Sequence, residues 1–127
     1  MNPKFRFYHS KLNKIYEVVG IDHLNEQVDC ILPEMNGDIS NWDWSDGELI
    51  QPTRLKDKNG VEIFEGDVVK TKYGEHGRHI GVVKYGGAKF YSNGVKQYLS
   101  WHEDLNGLFE IIGNQFEHPY LLEGDNE

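Results

Sequence analysis

Asn59-Gly60 stands directly before Val61-Glu62-Ile63-Phe64, and a matching short run begins at Leu55 on its other side. Residues that tolerate positive φ, set between two strand-like runs, are the strongest short-range signal for a β-hairpin. A type I′ turn needs positive φ at both central positions, and Asn-Gly supplies it at low steric cost. Residues 55–70 are therefore predicted to form a tight hairpin, and most of the rest of the chain has to be compatible with a sheet built on it. Glu65-Gly66-Asp67 reads as a second reversal, and residues 68–73 continue as a strand with Lys70 and Lys72 on one face.

Period-2 alternation recurs on both sides of this hairpin. Before it, Phe5-Arg6-Phe7-Tyr8, residues 15–21, residues 28–32 and residues 39–44 read as an N-terminal meander of about four strands. Pro33 stops the third, Asn36-Gly37 turns into the fourth, and the region of Pro52 reads as a connector. After it, residues 74–79 read as a glycine-rich polar loop. Strands come next over 80–85, 88–91 and 95–99, turned at Gly86-Gly87 and Asn93-Gly94. Ser100 is placed to cap a short helix over 101–106, with Glu103 as in a capping box. Residues 108–112 form a last strand, Pro119 starts a helical turn over 120–122, and residues 124–127 are expected to fray. Short strands with turns about every 8–12 residues predict a mainly β fold with one or two short helices. One domain is expected over 1–127. It would comprise a meander over about 1–53 and an SH3-like small barrel or bent sheet over 54–123.

Size and charge narrow the function classes. A chain of 127 residues suits one domain, and an aromatic content of 13% offsets a modest apolar fraction, so a packed core is expected. The net charge of −8 argues against general affinity for nucleic acid or anionic membranes. That charge is uneven. Residues 1–53 hold four basic and nine acidic residues, 54–96 nine basic and five acidic, and 97–127 seven acidic and no basic ones. Cys30 is the single cysteine, so neither a disulfide framework nor a cysteine zinc site is expected. No run resembles a signal peptide or a membrane span, and a cytoplasmic protein is the expectation.

Four groups of residues bear on chemistry. Glu75, His76 and His79 have a spacing that can supply metal ligands, although the same string fits an exposed polar loop. Trp101-His102-Glu103-Asp104 collects an imidazole and two carboxylates, but neighbours on a short helix point in different directions, and capping with a buried Trp101 accounts for them. Trp42 and Trp44, with Trp101, fit either an aromatic platform or core packing. Lys70, Lys72, Arg78, Lys84, Lys89 and Lys96 interleave with Tyr73, Tyr85, Phe90, Tyr91 and Tyr98. Small β-barrels bind nucleic acid with such a surface, and lysines also guard strand edges against aggregation. No P-loop, dinucleotide fingerprint or nucleophile elbow is present, so neither a cofactor nor a catalytic set is expected.

The hairpin segment also carries a resemblance. Leu55-Lys56-Asp57-Lys58-Asn59-Gly60, followed by Glu62-Ile63-Phe64-Glu65-Gly66-Asp67-Val68-Val69, is similar to the YopX family of small phage and prophage proteins. Lys4-Phe5-Arg6 resembles the family's opening strand. Phe109-Glu110-Ile111-Ile112-Gly113-Asn114, with Glu117, Pro119 and Leu121-Leu122, resembles its closing motif. Departures occur where the family has Tyr-Thr-Gly-Leu and this chain has Pro52-Thr53-Arg54-Leu55. They occur again where it has Ala-Trp-Asp and this chain has Phe7-Tyr8-His9. The resemblance implies a phage-derived, mainly β protein of the bacterial cytoplasm, with Asp57, Asn59, Gly60, Gly66, Asp67, Gly113 and Asn114 as an architectural signature. It implies no reaction, and it makes oligomerisation an expectation. Together with the charge split, it leads to a non-enzymatic module that binds a protein partner or itself. Nucleic-acid binding through residues 70–98 and a metal-dependent enzyme at His76 and His79 are the alternatives.

Overall fold

The computed structural model describes residues 4–123, and residues 124–127 of the expected frayed tail lie outside them. The chain divides into two compact units, Met1–Pro52 and Thr53–Glu127. The first contains five strands, not four: β1 (Arg6–His9), β2 (Lys14–Asp22), β3 (Gln27–Leu32), β4 (Asp38–Asp43) and β5 (Gly47–Ile50). They form one antiparallel sheet in the order β4-β3-β2-β1-β5. The strand that local pattern missed, β5, returns to pair with β1 (Phe7 opposite Leu49), a contact between residues remote in sequence.

Alternation explains what this sheet buries. Phe7, Tyr16, Val18, Val28 and Cys30 form the core, with Trp42, Trp44 and Leu49 packed against it. The Trp42 ring lies 4.4 Å from His9 and 5.2 Å from Tyr16. The two tryptophans are thus packing elements of this unit. Burial, with nearby Asp29 adding to it, pushes the Cys30 thiol up to about 11, so it is a protonated core group at neutral pH.

The second unit holds β6 (Pro52–Lys56), β7 (Glu62–Phe64), β8 (Asp67–Gly74), β9 (Gly77–Gly86), β10 (Lys89–Gly94), β11 (His102–Asp104) and β12 (Glu110–Asn114). β6 and β7 are the predicted hairpin. The others form an antiparallel sheet in the order β11-β10-β9-β8-β12. This sheet is open, with β11 and β12 at its edges; of the two forms expected, a small barrel or a bent sheet, it is not the closed barrel. Its centre is buried on both faces. Val69 and Val83 pack with Ile63 and Phe109, while Val68 and Val82 pack with Val95, Ile112, Leu121 and Leu122.

Several local expectations change in this unit. The hairpin loop is not type I′. The Gly60 amide donates to the Asp57 carbonyl at 3.0 Å, the Asp57 amide donates to the Val61 carbonyl at 2.8 Å, and only Gly60 of the pair has positive φ (83°). That is a three-residue loop with a glycine bulge. The Asp57 side chain selects it by accepting the Asn59 and Val61 amides, both at 2.9 Å. The two-residue turn with positive φ at both positions occurs instead at Gly87 (58°) and Ala88 (67°), between β9 and β10. Residues 74–79 are not a loop: Gly74 pairs with Gly77, only Glu75 and His76 turn, and His79 lies inside β9. Strand β10 runs through Asn93 and Gly94, and Lys96–Tyr98 is a 3-10 turn where a strand was expected. The predicted helix over 101–106 is absent. His102–Asp104 pairs with residues 91–93, and Ser100 has φ 76°, incompatible with an extended N-cap. The predicted turn at Pro119 is present as a 3-10 helix over Pro119–Leu122.

Candidate anion-binding cleft

On the second unit, one end of the β8–β9 surface opens into a cleft of about 330 Å³. Its walls include Lys58, Lys70, Lys72, Arg78, Tyr73, Leu108 and Glu110. Pleating puts Lys70 and Lys72 on one face of β8 while Val69 and Thr71 point to the core. A register shift between Thr71 and Gly74 then breaks the alternation. Tyr73, which strict period-2 reading puts with Val69 and Thr71, becomes 68% exposed at the cleft. Arg78 comes from the start of β9, exposed beside β8.

The electrostatics are lopsided. Four cations meet a single carboxylate, Glu110. Lys58 lies 3.5 Å from Glu110 and is its ion-pair partner. Among the described residues, Lys70, Lys72 and Arg78 have no ion pair, and all are exposed. Like charges held on a fixed sheet surface repel, and a bound anion relieves that repulsion. Among the described residues, the acidic C-terminal third meets this surface through Glu110 alone, which pairs with Lys58, while Asp104 meets Lys89 at 2.6 Å outside the cleft lining.

The sequence singled out six basic residues, and three of them, Lys70, Lys72 and Arg78, share this cleft. Lys89 is paired with Asp104 on the β10–β11 edge. Lys84 sits farther along β9 and Lys96 opens a 3-10 turn. Tyr85 packs on Phe90 at 4.8 Å and Tyr91 on His102 at 5.1 Å, both away from the cleft lining. Lys58, Leu108 and Glu110 were not anticipated. Their sequence separation from Lys70 hides a proximity that only sheet pairing creates, as when Glu110 aligns with Lys70.

The metal candidates are pulled apart. His79 is 1% exposed, its Nε2 shares a hydrogen bond with the Ser92 Oγ at 2.9 Å, and its Nδ1 has no partner among the described residues. Burial pushes its pKa down, partly countered by the charge of Glu103. His76 sits in the turn with its ring 5.4 Å from Trp101. Glu75 uses its amide, donated to Glu103 at 2.9 Å. No group of three or more metal-ligating side chains occurs among the described residues. Trp101 is 40% exposed, not buried as expected, because its segment is an edge strand's approach and not a helix face. His102, Glu103 and Asp104 alternate along β11 and do not converge.

The glycines and acids around the hairpin are structural. The Asp57 carboxylate, 6% exposed, also accepts the Ile111 amide at 3.2 Å, tying the hairpin loop to β12. Burial pushes its pKa up, but the amides of Val61, Ile111 and Asn59 outweigh this and hold it below the usual carboxylate value. Asp67 accepts the Phe64 amide at 2.8 Å. Gly66 has φ 91°, and a Cβ there would lie 2.5 Å from the Phe116 ring. Asn114 accepts the amides of Phe116 and Glu117, and a Cβ on Gly113 would meet Leu121 and His118. The YopX protein family matches residues 4–123, nearly the whole chain. The chain belongs to the YopX family. This YopX-family chain is also similar to a solved structure, protein EF1440 from Enterococcus faecalis, at 27% identity. The match covers 97% of this chain and 99% of that one, with a TM-score of 0.63. Among curated proteins, none matches. No helix among the described residues is long and apolar enough to cross a membrane.

Proposed function

We propose that this YopX-family protein is a non-enzymatic accessory protein of phage or prophage origin, acting in the bacterial cytoplasm, and that its second unit binds a polyanionic partner in the Lys70–Lys72–Arg78 cleft. One observation carries the reading: in a chain of net charge −8, three exposed cations without ion pairs among the described residues converge on one concave surface. The burial of His79 in β9 while His76 sits in the exposed turn, and the alternation of His102, Glu103 and Asp104 along β11, support a binding role over a catalytic one. Anisotropy of labelled heparin at low salt tests the reading. Wild type is expected to bind, with affinity falling steeply as salt rises. A K70E/K72E/R78E variant with a native circular dichroism spectrum is expected to lose binding. Equal affinity of the two proteins refutes the cleft.

A second reading, self-association, is favoured by the charge of residues 1–53, with four bases against nine acids, which a second copy can offer to the basic cleft. Sedimentation at low and high salt tests it: assembly that dissolves on adding salt supports it, and a monomer at low salt and high concentration rules out self-association.

A further inference from the structure

We infer that the partner in this cleft is single-stranded nucleic acid, with Tyr73 stacking on a base while Lys70, Lys72 and Arg78 hold consecutive phosphates; this rests on the polyanion reading above. Lys70 and Lys72 are same-face neighbours on one strand, which places their Cα atoms about 6.6 Å apart, and Arg78 lies on the adjacent strand at a spacing of about 4.8 Å. Those spacings keep the three cations close enough to meet neighbouring phosphates of one strand. Arg78 adds a planar fork suited to two phosphate oxygens.

The aromatic neighbour discriminates nucleic acid from an acidic peptide. Tyr73 is 68% exposed at the lining of the same cleft, and no ring of the protein covers it among the described ring contacts. An exposed ring is ordinary on its own; what sets Tyr73 apart is that it lines the same concave surface as three cations without ion pairs among the described residues. The feature that exposes it, the register shift between Thr71 and Gly74, also brings it beside the cations. Bulges recur where a sheet re-aims one side chain for a purpose. Leu108, 51% exposed, adds a second apolar contact. Stacking on Tyr73 requires a base freed from its duplex neighbours, so the ligand is single-stranded. Glu110, paired with Lys58 and aligned with Lys70, repels phosphate on that side and biases the strand towards Lys72 and Arg78.

The experiment compares a fluorescein-labelled oligothymidylate, the matching oligouridylate, a duplex of the same length and labelled heparin. It uses the full chain and its Tyr73→Ala and Tyr73→Phe variants. Both single strands are expected to bind more tightly than the duplex, with a slope of log affinity against log salt near −2, about −0.7 for each of three phosphates. Tyr73→Ala is expected to lower single-strand affinity by about five- to a hundred-fold while leaving heparin binding unchanged, and Tyr73→Phe to retain it. Heparin binding without a single-strand preference, or single-strand binding indifferent to Tyr73→Ala, overturns this inference and leaves the polyanion reading standing. Failure to bind any of the four probes at low salt overturns both.

Discussion

Replacing Asp57 with Asn tests whether the hairpin signature is structural. In the native protein one carboxylate oxygen accepts the Asn59 and Val61 amides at 2.9 Å, and the other accepts the Ile111 amide at 3.2 Å. An Asn carbonyl can keep the first two bonds. Its amide group then faces the Ile111 N–H donor to donor, leaving that donor unmet. A hydrogen bond to a charged group contributes about 1.5–3 kcal/mol, so a loss of about 2–3 kcal/mol is expected. For a unit of this size that lowers the melting temperature by roughly 10–20 °C. Asp57→Ala orphans all three donors and costs more, about 4 kcal/mol, which approaches the whole stability of a small unit. Urea and thermal unfolding followed by circular dichroism measure both.

The pH dependence supplies an independent check on Asp57. Its folded pKa is depressed, so its contribution is complete above the unfolded value of about 3.9 and is lost as pH falls through that value towards the folded one. Asp57→Asn lacks this component, so its stability falls less steeply than wild type on acidification below about pH 4. A stability change under about 0.5 kcal/mol, or parallel acid profiles for the two proteins, refutes the assignment of Asp57 as the clamp between hairpin and β12.

Two other positions in the same unit are open to test. Ala88 holds φ 67° in the β9–β10 turn, where Cβ sterics cost about 1–2 kcal/mol. Ala88→Gly removes that cost against a smaller entropy loss in the unfolded chain, so a gain of about 0.5 kcal/mol in urea unfolding is expected, and a loss contradicts the turn assignment. His79 is buried with a depressed pKa, so the unfolded chain takes its proton more readily. Its stability contribution is complete above about pH 6.5 and falls as pH drops from there to the folded value. His79→Gln is expected to flatten urea midpoints between neutral pH and about pH 5 relative to wild type, and an unchanged slope shows that His79 protonates freely in the fold.

Turn chemistry and period-2 alternation are local properties, and they made most strands legible. Glycine at residue 60 or 66 marks a reversal because the backbone there needs positive φ whatever surrounds it. The same reasoning failed at Ser100–Glu103, where a capping pattern four residues long competes with a strand partner supplied by residues 91–93. A short helix nucleates poorly, so the ladder wins. It failed at residues 74–79 because glycines flanking a two-residue turn look like a long loop when the pairing of Gly74 with Gly77 is not visible.

The candidate site divides in the same way. Lys70 and Lys72 were readable as an exposed pair from alternation alone, and the net charge, the single Cys30 and the family signature were complete in the sequence. Only the tertiary structure decided which cations meet. Lys58 comes from a hairpin loop, Arg78 from β9 and Glu110 from β12, and they converge because antiparallel pairing aligns residues far apart in the chain. The register shift that turns Tyr73 outward is likewise invisible to a strict alternation, since one unpaired residue reverses the face of every later residue in the strand. Turns and alternation determined a mainly β chain, and the motif resemblance pointed to its family; strand register determined that Lys70, Lys72, Arg78 and the Tyr73 ring share a cleft.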